Sequence, residues 1–141
     1  MYTTVIWATD GSEGADLALR AALDLVTTSG GRIVAVHANQ RLTGRAGAWP
    51  AAADESDRLV KIREQIDALT TQGVAIELVV RRTHEDPSRI IAAVAEELDA
   101  DVIVCGTHGR TALAGAVLGS VAHGLVHAAT CPVLIVPERY F

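Results

Sequence analysis

The segment DVIVCGTHGRTALAGAVLGSV, residues 101 to 121, decides the fold class of this chain. It opens with a short apolar run, which is typical of a strand covered on both faces of a sheet. Four glycines follow, and a helical pattern begins near Gly119 and Ser120. Glycines after a strand act either as turns or as places where a ligand approaches the backbone. At this point both interpretations stay open.

Strand and helix patterns alternate on both sides of this segment. The predicted strands are residues 3–9, 32–38, 74–80, 101–106 and 131–137. The predicted helices are residues 13–29, 54–72, the segment from Asp86 to about residue 100, and 119–129. Strands that alternate with helices predict one parallel sheet with right-handed crossovers. The fold class is therefore α/β.

Several short signals set the bounds of these elements. Ser12 is placed to cap the first helix, and Asp86 followed by Pro87 is typical of a helix start. Glu77 interrupts the apolar run of the third strand, which favours an edge position in the sheet. Residues 39–53 lack periodicity and contain Gly and Pro, so they are predicted to form a loop.

Composition limits the class of protein. The chain has 141 residues, and we expect one domain over residues 1–141. Its net charge of -5, from 12 basic and 17 acidic residues, argues against non-specific nucleic-acid binding. The sequence shows no apolar stretch of the roughly 18 to 20 residues that span a bilayer. It also shows no signal-peptide pattern, so we expect the cytoplasm.

The two cysteines, Cys105 and Cys131, suit neither a metal site nor a disulfide. They belong to neighbouring predicted strands with an offset that separates them by more than about 10 Å, whereas a disulfide needs Cα atoms within about 7 Å. Both are predicted to be buried, reduced thiols.

The glycine spacing G-x2-G-x9-G-S has a physical use. Gly106 and Gly109 permit positive φ, and Ser120 can cap the following helix or turn its hydroxyl to a ligand. The free N–H groups and the dipole at a helix start favour an anion. The chain contains neither a GxxxxGK[ST] loop nor a GxGxxG motif after its first strand.

Residues 100–136, ADVIVCGTHGRTALAGAVLGSVAHGLVHAATCPVLIV, resemble the C-terminal signature of the universal stress proteins. VIWATDGSEGADLALRAAL (5–23) and VAVHA (34–38) are similar to the family's first strand and helix and its second strand. The resemblance implies a Rossmann-like open five-stranded parallel sheet in the order 3-2-1-4-5, with helices on both faces. The glycine spacing is that of the family's ATP-binding branch, which acts in stress adaptation.

The resemblance also implies a nucleotide site. Asp10 falls near the ribose or a divalent metal, beside Ala8 and Thr9, and Ala38 falls where the backbone meets adenine. The phosphate segments then hold the following residues: Gly106, Gly109, Gly119, Ser120 and Val121. His108 and Arg110 lie in the same loop and either touch phosphate or face water.

Other residues keep alternative roles. Asp10 is either a ligand of Mg²⁺, which prefers carboxylate and phosphate oxygens, or a partner of ribose, or a turn residue. His123 and His127 have helical spacing but no recognisable third metal ligand. Trp7 is predicted to lie in the core, and His37 to be packed and hydrogen-bonded.

The chain departs from the family pattern in places. Glu85 stands where many members have Gly, and residues 39–53 match no fixed pattern. Trp49, Arg41 and Arg45 in that segment either cover the nucleotide or lie on the surface.

Three functions fit these observations. The first is an ATP-binding regulatory protein, and the second is an enzyme such as a nucleotidyl transferase or ATPase. The third is an interaction module without nucleotide. No P-loop lysine or other catalytic constellation is evident, so we expect at most slow ATP hydrolysis.

The fifth strand predicts a partner surface. In the order 3-2-1-4-5 it lies at an edge, and PVLIV (132–136) is apolar throughout. An uncovered edge of this kind favours strand pairing between two copies, so we expect a homodimer. The alternative is that the tail ERYF, residues 138–141, covers the edge.

Overall fold

The computed structural model describes residues 2–40, 48–108 and 118–140, with the backbone alone at residues 40 and 48–54. Its elements in chain order are β1 (Thr4–Ala8), α1 (Glu13–Ser29), β2 (Arg32–Gln40), α2 (Ala48–Thr71), β3 (Ile76–Thr83), α3 (Pro87–Glu97), β4 (Val102–Gly106), α4 (Ser120–Ala128) and β5 (Val133–Val136). The predicted alternation of strands and helices is confirmed.

The five strands form one parallel sheet in the order β3-β2-β1-β4-β5, as predicted. β1 lies at the centre, paired with β2 on one side and β4 on the other. All five residues of β1 are buried, which explains why its sequence is apolar without alternation. β3 and β5 are the edges, so Glu77 does lie in an edge strand.

Helices cover both faces of the sheet and enclose two apolar clusters. Val5 and Trp7 of β1 pack with α1 and α2, whereas Ile6 and Ala8 pack with α3 and α4. Trp7 is fully buried, and its Nε1 donates a hydrogen bond of 2.8 Å to the carbonyl of Ala15. The prediction that Trp7 is a core residue is confirmed.

The caps confirm both predicted boundaries of α1 and the predicted start of α3, whereas α3 ends at Glu97, before the predicted residue 100. The Ser12 side chain accepts a hydrogen bond from the Ala15 N–H, and Gly30 ends α1 in the left-handed conformation at φ 74°. The Asp86 side chain accepts from the Ser88 N–H, with Pro87 at the first helical position.

The prediction of a loop over residues 39–53 is wrong at both ends. β2 continues to Gln40, and α2 begins at Ala48. Residues 41–47, which include Arg41 and Arg45, lie outside the described part of the chain. Alanine is the strongest helix former, and a proline is tolerated in the first turn because that turn's N–H groups have no acceptor in the helix. The alanine-rich segment around Pro50 therefore starts a helix.

β3 lies two to three residues later than predicted. Its pairing with β2 runs from Ile33↔Ile76 to Gln40↔Thr83, so Arg81 and Arg82 belong to the strand. Charged side chains are acceptable there because an edge strand leaves room for them to reach solvent.

The structure also bears on the predictions for the two cysteines and for the C-terminal tail. Both cysteines are free, but only Cys105 is buried and Cys131 is half-buried, because it precedes β5 rather than lying in it. After β5 the described tail turns back onto α1, where the Tyr140 hydroxyl donates a 2.8 Å hydrogen bond to Asp24. None of the helices in the described segments is long and apolar enough to cross a membrane.

Candidate functional site

A pocket of about 290 Å³ opens at the carboxyl ends of β1, β2 and β4, beside the start of α4. This edge of an open parallel sheet is where ligands bind in folds of this class. Nine of the predicted site residues line it: Ala8, Thr9, Asp10, Ala38, Gly106, His108, Gly119, Ser120 and Val121. Gly109 and Arg110 lie outside the described residues. Four segments that are distant in sequence thus meet around one space.

The pocket has further walls that the sequence analysis did not assign to it. These lining residues are Ser12, Ala15, His37, Asn39, Glu55, Pro87, Ile91, Cys105, Thr107 and Ala122. The lining residues that adjoin predicted positions in the sequence are placed there by the same strand ends. Glu55 gave no local signal, because it reaches the pocket from α2.

The turn between β1 and α1 fixes the Asp10 carboxylate. Its Oδ1 accepts a 2.9 Å hydrogen bond from the Ser12 N–H, and the Thr9 hydroxyl accepts one of 3.2 Å from the Gly11 N–H. Gly11 has a φ of 81°, which glycine adopts without strain. Asp10 therefore fills the turn role that was one of its alternatives, and it also lines the pocket.

Gly106 does not have the positive φ that was predicted for it, and close packing gives a separate reason for a glycine there. Positive φ among the described glycines occurs at Gly11, Gly30 and Gly73, and not at Gly106. A Cβ on Gly106 would lie 2.7 Å from the carbonyl oxygen of Gly14, and one on Gly14 would lie 2.6 Å from that of His108. The two glycines let the first turn of α1 sit directly against the end of β4.

The start of α4 also differs from the prediction. Gly119 is the N-cap, with φ -70° and no side-chain cap, and Ser120 is the first helical residue rather than the cap. The Gly119 N–H donates to the carbonyl of Thr107 at 2.6 Å, which ties the helix start to the end of β4. The next N–H groups have no acceptor within the helix, as at any helix start, and their residues line the pocket.

His37 joins the end of β2 to the neighbouring elements. It is almost fully buried, and its Nδ1 lies 2.9 Å from the Thr9 carbonyl oxygen. A carbonyl oxygen only accepts hydrogen bonds, so Nδ1 carries the proton. Its Nε2 contacts the carboxylate of Glu55 on α2. The prediction of a packed, hydrogen-bonded His37 is confirmed.

α2 supports the β1–α1 turn from outside. Arg58 donates to the carbonyl of Asp10 at 3.1 Å, and Lys61 donates to that of Gly11 at 2.8 Å. Lys61 also pairs with Asp16 at 2.9 Å. These contacts orient the turn that carries the Asp10 side chain.

His108 is the predicted phosphate-loop histidine, and it lies beside a carboxylate. Its Nδ1 lies 3.2 Å from the Thr107 hydroxyl and 3.3 Å from the carboxylate of Glu138 in the tail. Its side chain is 17% exposed, compared with 69% for Glu138.

The other titratable groups in the described segments of the chain do not add a metal site. Burial raises the pKa of the Cys105 thiol to about 11, so this pocket residue stays a neutral thiol at neutral pH. The rings of His123 and His127 meet edge to face with centroids 4.9 Å apart, and neither residue lines the pocket. Among the described residues, no three His, Cys, Asp or Glu side chains are grouped as metal ligands.

Comparisons with known proteins agree on one family. Residues 1–137 match the model of the Universal stress protein family. A universal stress protein of Thermus aquaticus is 34% identical over 140 residues, covering 96% of this chain and 99% of its own. A solved family member from Burkholderia pseudomallei is 28% identical with a TM-score of 0.73, covering 97% of each chain. A universal stress protein solved in complex with cAMP is 27% identical with a TM-score of 0.68, covering 96% of this chain and 97% of that one.

Proposed function

This chain belongs to the universal stress protein family, and we propose that it binds ATP in the pocket at the carboxyl ends of β1, β2 and β4. The observation that carries the proposal is the convergence of nine predicted residues, from four segments distant in sequence, on that pocket. A relative at 27% identity has been solved with cAMP, which supports an adenine nucleotide as the ligand class.

The pocket offers suitable chemistry for each part of a nucleotide. The start of α4 presents N–H groups and a positive dipole end to the phosphates. The ends of β1 and β2 supply apolar walls at Ala8 and Ala38. We expect adenine there and ribose near Asp10.

We further propose that Mg²⁺ accompanies ATP. Asp10 places a carboxylate on the pocket wall, and Mg²⁺ commonly combines one or two carboxylates with phosphate oxygens and water. The ion would offset the repulsion between that carboxylate and a polyphosphate. Asp10→Asn should then weaken ATP binding mainly when Mg²⁺ is present.

The role we propose is regulatory, in stress adaptation: the nucleotide changes which surfaces the protein presents. In the same proposal the protein is a homodimer paired through β5. This strand is a sheet edge, it is apolar, and Leu134 in it is 40% exposed. A two-fold axis beside β5 would pair identical residues and close the assembly.

Gly119 offers a sharp test of the pocket. Asp and Asn are both good N-caps, so Gly119→Asp and Gly119→Asn should each leave α4 as stable as before or slightly more so. Asp also adds a negative charge where phosphate is proposed to bind. We expect isothermal titration to show ATP affinity at least about tenfold lower for Gly119→Asp than for Gly119→Asn.

Two outcomes would contradict the proposal. Equal ATP affinity in the two variants would place the phosphates elsewhere. A wild-type protein that binds no adenine nucleotide in titration, and releases none when its purified form is denatured and analysed by mass spectrometry, would favour the nucleotide-free interaction module.

A further inference from the structure

The C-terminal tail ties the pocket to the outer surface of α1. Glu138 pairs with His108 of the pocket wall at 3.3 Å, and Tyr140 bonds to Asp24 of α1 at 2.8 Å. Between these contacts, the Tyr140 N–H donates to the Pro137 carbonyl at 3.1 Å. The tail is therefore a short turn held at two points, one of which is a residue of the candidate site.

The contact between His108 and Glu138 is an ion pair when His108 is protonated, and the Glu138 side chain is exposed. Exposed ion pairs contribute little to stability, and they weaken as salt rises. A polyphosphate chain that reached His108 would carry more negative charge in total than one carboxylate. It would compete with Glu138 for the same imidazole, and the two anions would repel each other.

We propose that Glu138 competes with the ligand's phosphates for His108, so that a filled pocket loosens the C-terminal tail. Glu138 is then a specificity-determining residue: it disfavours anionic ligands and leaves neutral ones unaffected. This inference rests on the proposed nucleotide function and adds its regulation. Coupling of this kind is reciprocal, so an occupied tail contact weakens phosphate binding as much as phosphate weakens the contact.

The position of the tail explains what the coupling would change. Glu138 lies two residues after Val136, the last residue of β5, and β5 is an open edge of the sheet. Release of Glu138 would remove one of the two contacts that hold the tail and would loosen the segment that leaves this edge. A ligand in the pocket would thus alter the surface at the β5 edge, which lies beyond β4 in the sheet, and the sheet itself would not need to move.

The first measurement is the affinity for ATP and for adenosine, by titration, in the wild type and in Glu138→Gln. We expect ATP to bind about two- to fivefold more tightly to the variant, as the size of exposed ion pairs implies, with adenosine unchanged. Glu64→Gln, which removes the same charge from an exposed position of α2, is the matched control and should bind both ligands as the wild type does.

The second measurement is hydrogen–deuterium exchange in the peptide over residues 133–141, read by mass spectrometry. ATP should speed exchange there in the wild type, and Glu138→Gln should show the fast exchange without ligand. This second result requires no nucleotide binding, so it tests the tail contact independently of the proposed function.

The outcomes separate the two proposals. If ATP binds but Glu138→Gln leaves its affinity unchanged, or tightens adenosine equally, the competition is wrong and nucleotide binding stands. Wild-type exchange rates in the variant would also overturn it. If the wild type binds no adenine nucleotide, the proposed function fails and the competition fails with it.

Discussion

Individual residues act differently at the two ends of the sheet. At the carboxyl ends, Asp10 and His108 line the pocket. At the amino ends, Asp101 joins the strands: its Oδ2 accepts hydrogen bonds from the N–H groups of Thr3 at 2.7 Å and Thr4 at 2.9 Å. One carboxylate thereby fixes the start of β4 against the start of β1.

This contact makes stability depend on pH. The hydrogen bonds from Thr4 and then Thr3 lower the pKa of Asp101 below its ordinary value of 3.8. A carboxyl whose pKa is lower in the folded state stabilises the protein fully above the unfolded pKa. That contribution is lost as pH falls through the folded pKa. The free energy of unfolding should therefore fall below about pH 4.

Asp101→Asn tests this assignment. The variant should be less stable than the wild type at pH 7 and should lose less stability between pH 5 and 2 (about the window that the lowered pKa implies). Urea unfolding at a series of pH values measures both effects. Asp67→Asn, at an exposed position of α2, is the control and should keep the wild-type slope. A wild-type slope in Asp101→Asn would mean that another carboxyl governs the acid response.

At the scale of the elements, helices lie unusually close to their neighbours where glycines permit it. The first turn of α1 sits against the end of β4 through Gly14 and Gly106. Gly124 of α4 faces Ser88 of α3, where a Cβ would lie 2.2 Å from the serine hydroxyl oxygen. Gly106 and His108 line the pocket, so that part of its wall depends on the close approach of α1 to β4.

Gly14→Ala should therefore destabilise the protein, against the expectation from helix propensity. In an exposed helix, Gly to Ala is stabilising by up to about 1 kcal/mol. Here the new methyl group would meet the His108 carbonyl oxygen at 2.6 Å, and overpacking of this kind costs about 1–3 kcal/mol. Chemical unfolding measures the change. The exposed Thr27→Ala in the same helix is the control and should stay within about 0.5 kcal/mol. A stabilised Gly14→Ala would show that the two elements have room to separate.

At the scale of the whole molecule, the two edges of the sheet differ. β3 carries Glu77, Arg81 and Arg82, and Arg32 of β2 pairs with Glu77 at 2.9 Å. Charges of this kind discourage edge-to-edge pairing. β5 is short and apolar, and the described tail turns onto α1.

Leu134→Lys is expected to dissociate the proposed homodimer. The lysine would place like charges opposite each other across the two-fold axis at β5, whereas Val136 on the same strand is buried and unsuitable for substitution. Light scattering after size-exclusion chromatography should show a dimer for the wild type and a monomer for the variant. Val60→Lys, at a 52% exposed apolar residue of α2, should remain dimeric. A monomeric wild type at micromolar concentration would rule the dimer out.

The sequence predicted those features that depend on local patterns. Ser12, Asp86 and Pro87 mark helix starts through short-range chemistry, and the motif residues mark the strand ends that form the pocket. The family resemblance supplied the roles proposed for them. Residues 48–53, the end of the predicted loop, were misjudged because glycine and proline outweighed the alanines in the prediction.

Contacts between elements that are distant in the chain were not predictable from the sequence. Three charged residues of α2 have no local sequence signal that marks them as site residues. Glu55 contacts His37, Arg58 contacts Asp10, and Lys61 contacts Gly11. Gly106 was recognised as significant, but its partner Gly14 was not, since only the packing of α1 on β4 brings them together.

The place of β1 between β2 and β4 has a consequence during synthesis. Val5 pairs with Val102, so the central strand waits for nearly a hundred further residues before its second neighbour emerges from the ribosome. Until then a nascent chain can assemble β3, β2 and β1 only, with one side of an apolar strand unpaired. Pairings this distant close slowly. The pocket, which needs β4 and α4, could form only after both of these elements had been synthesised, and a nascent chain could bind a ligand there only from that point on.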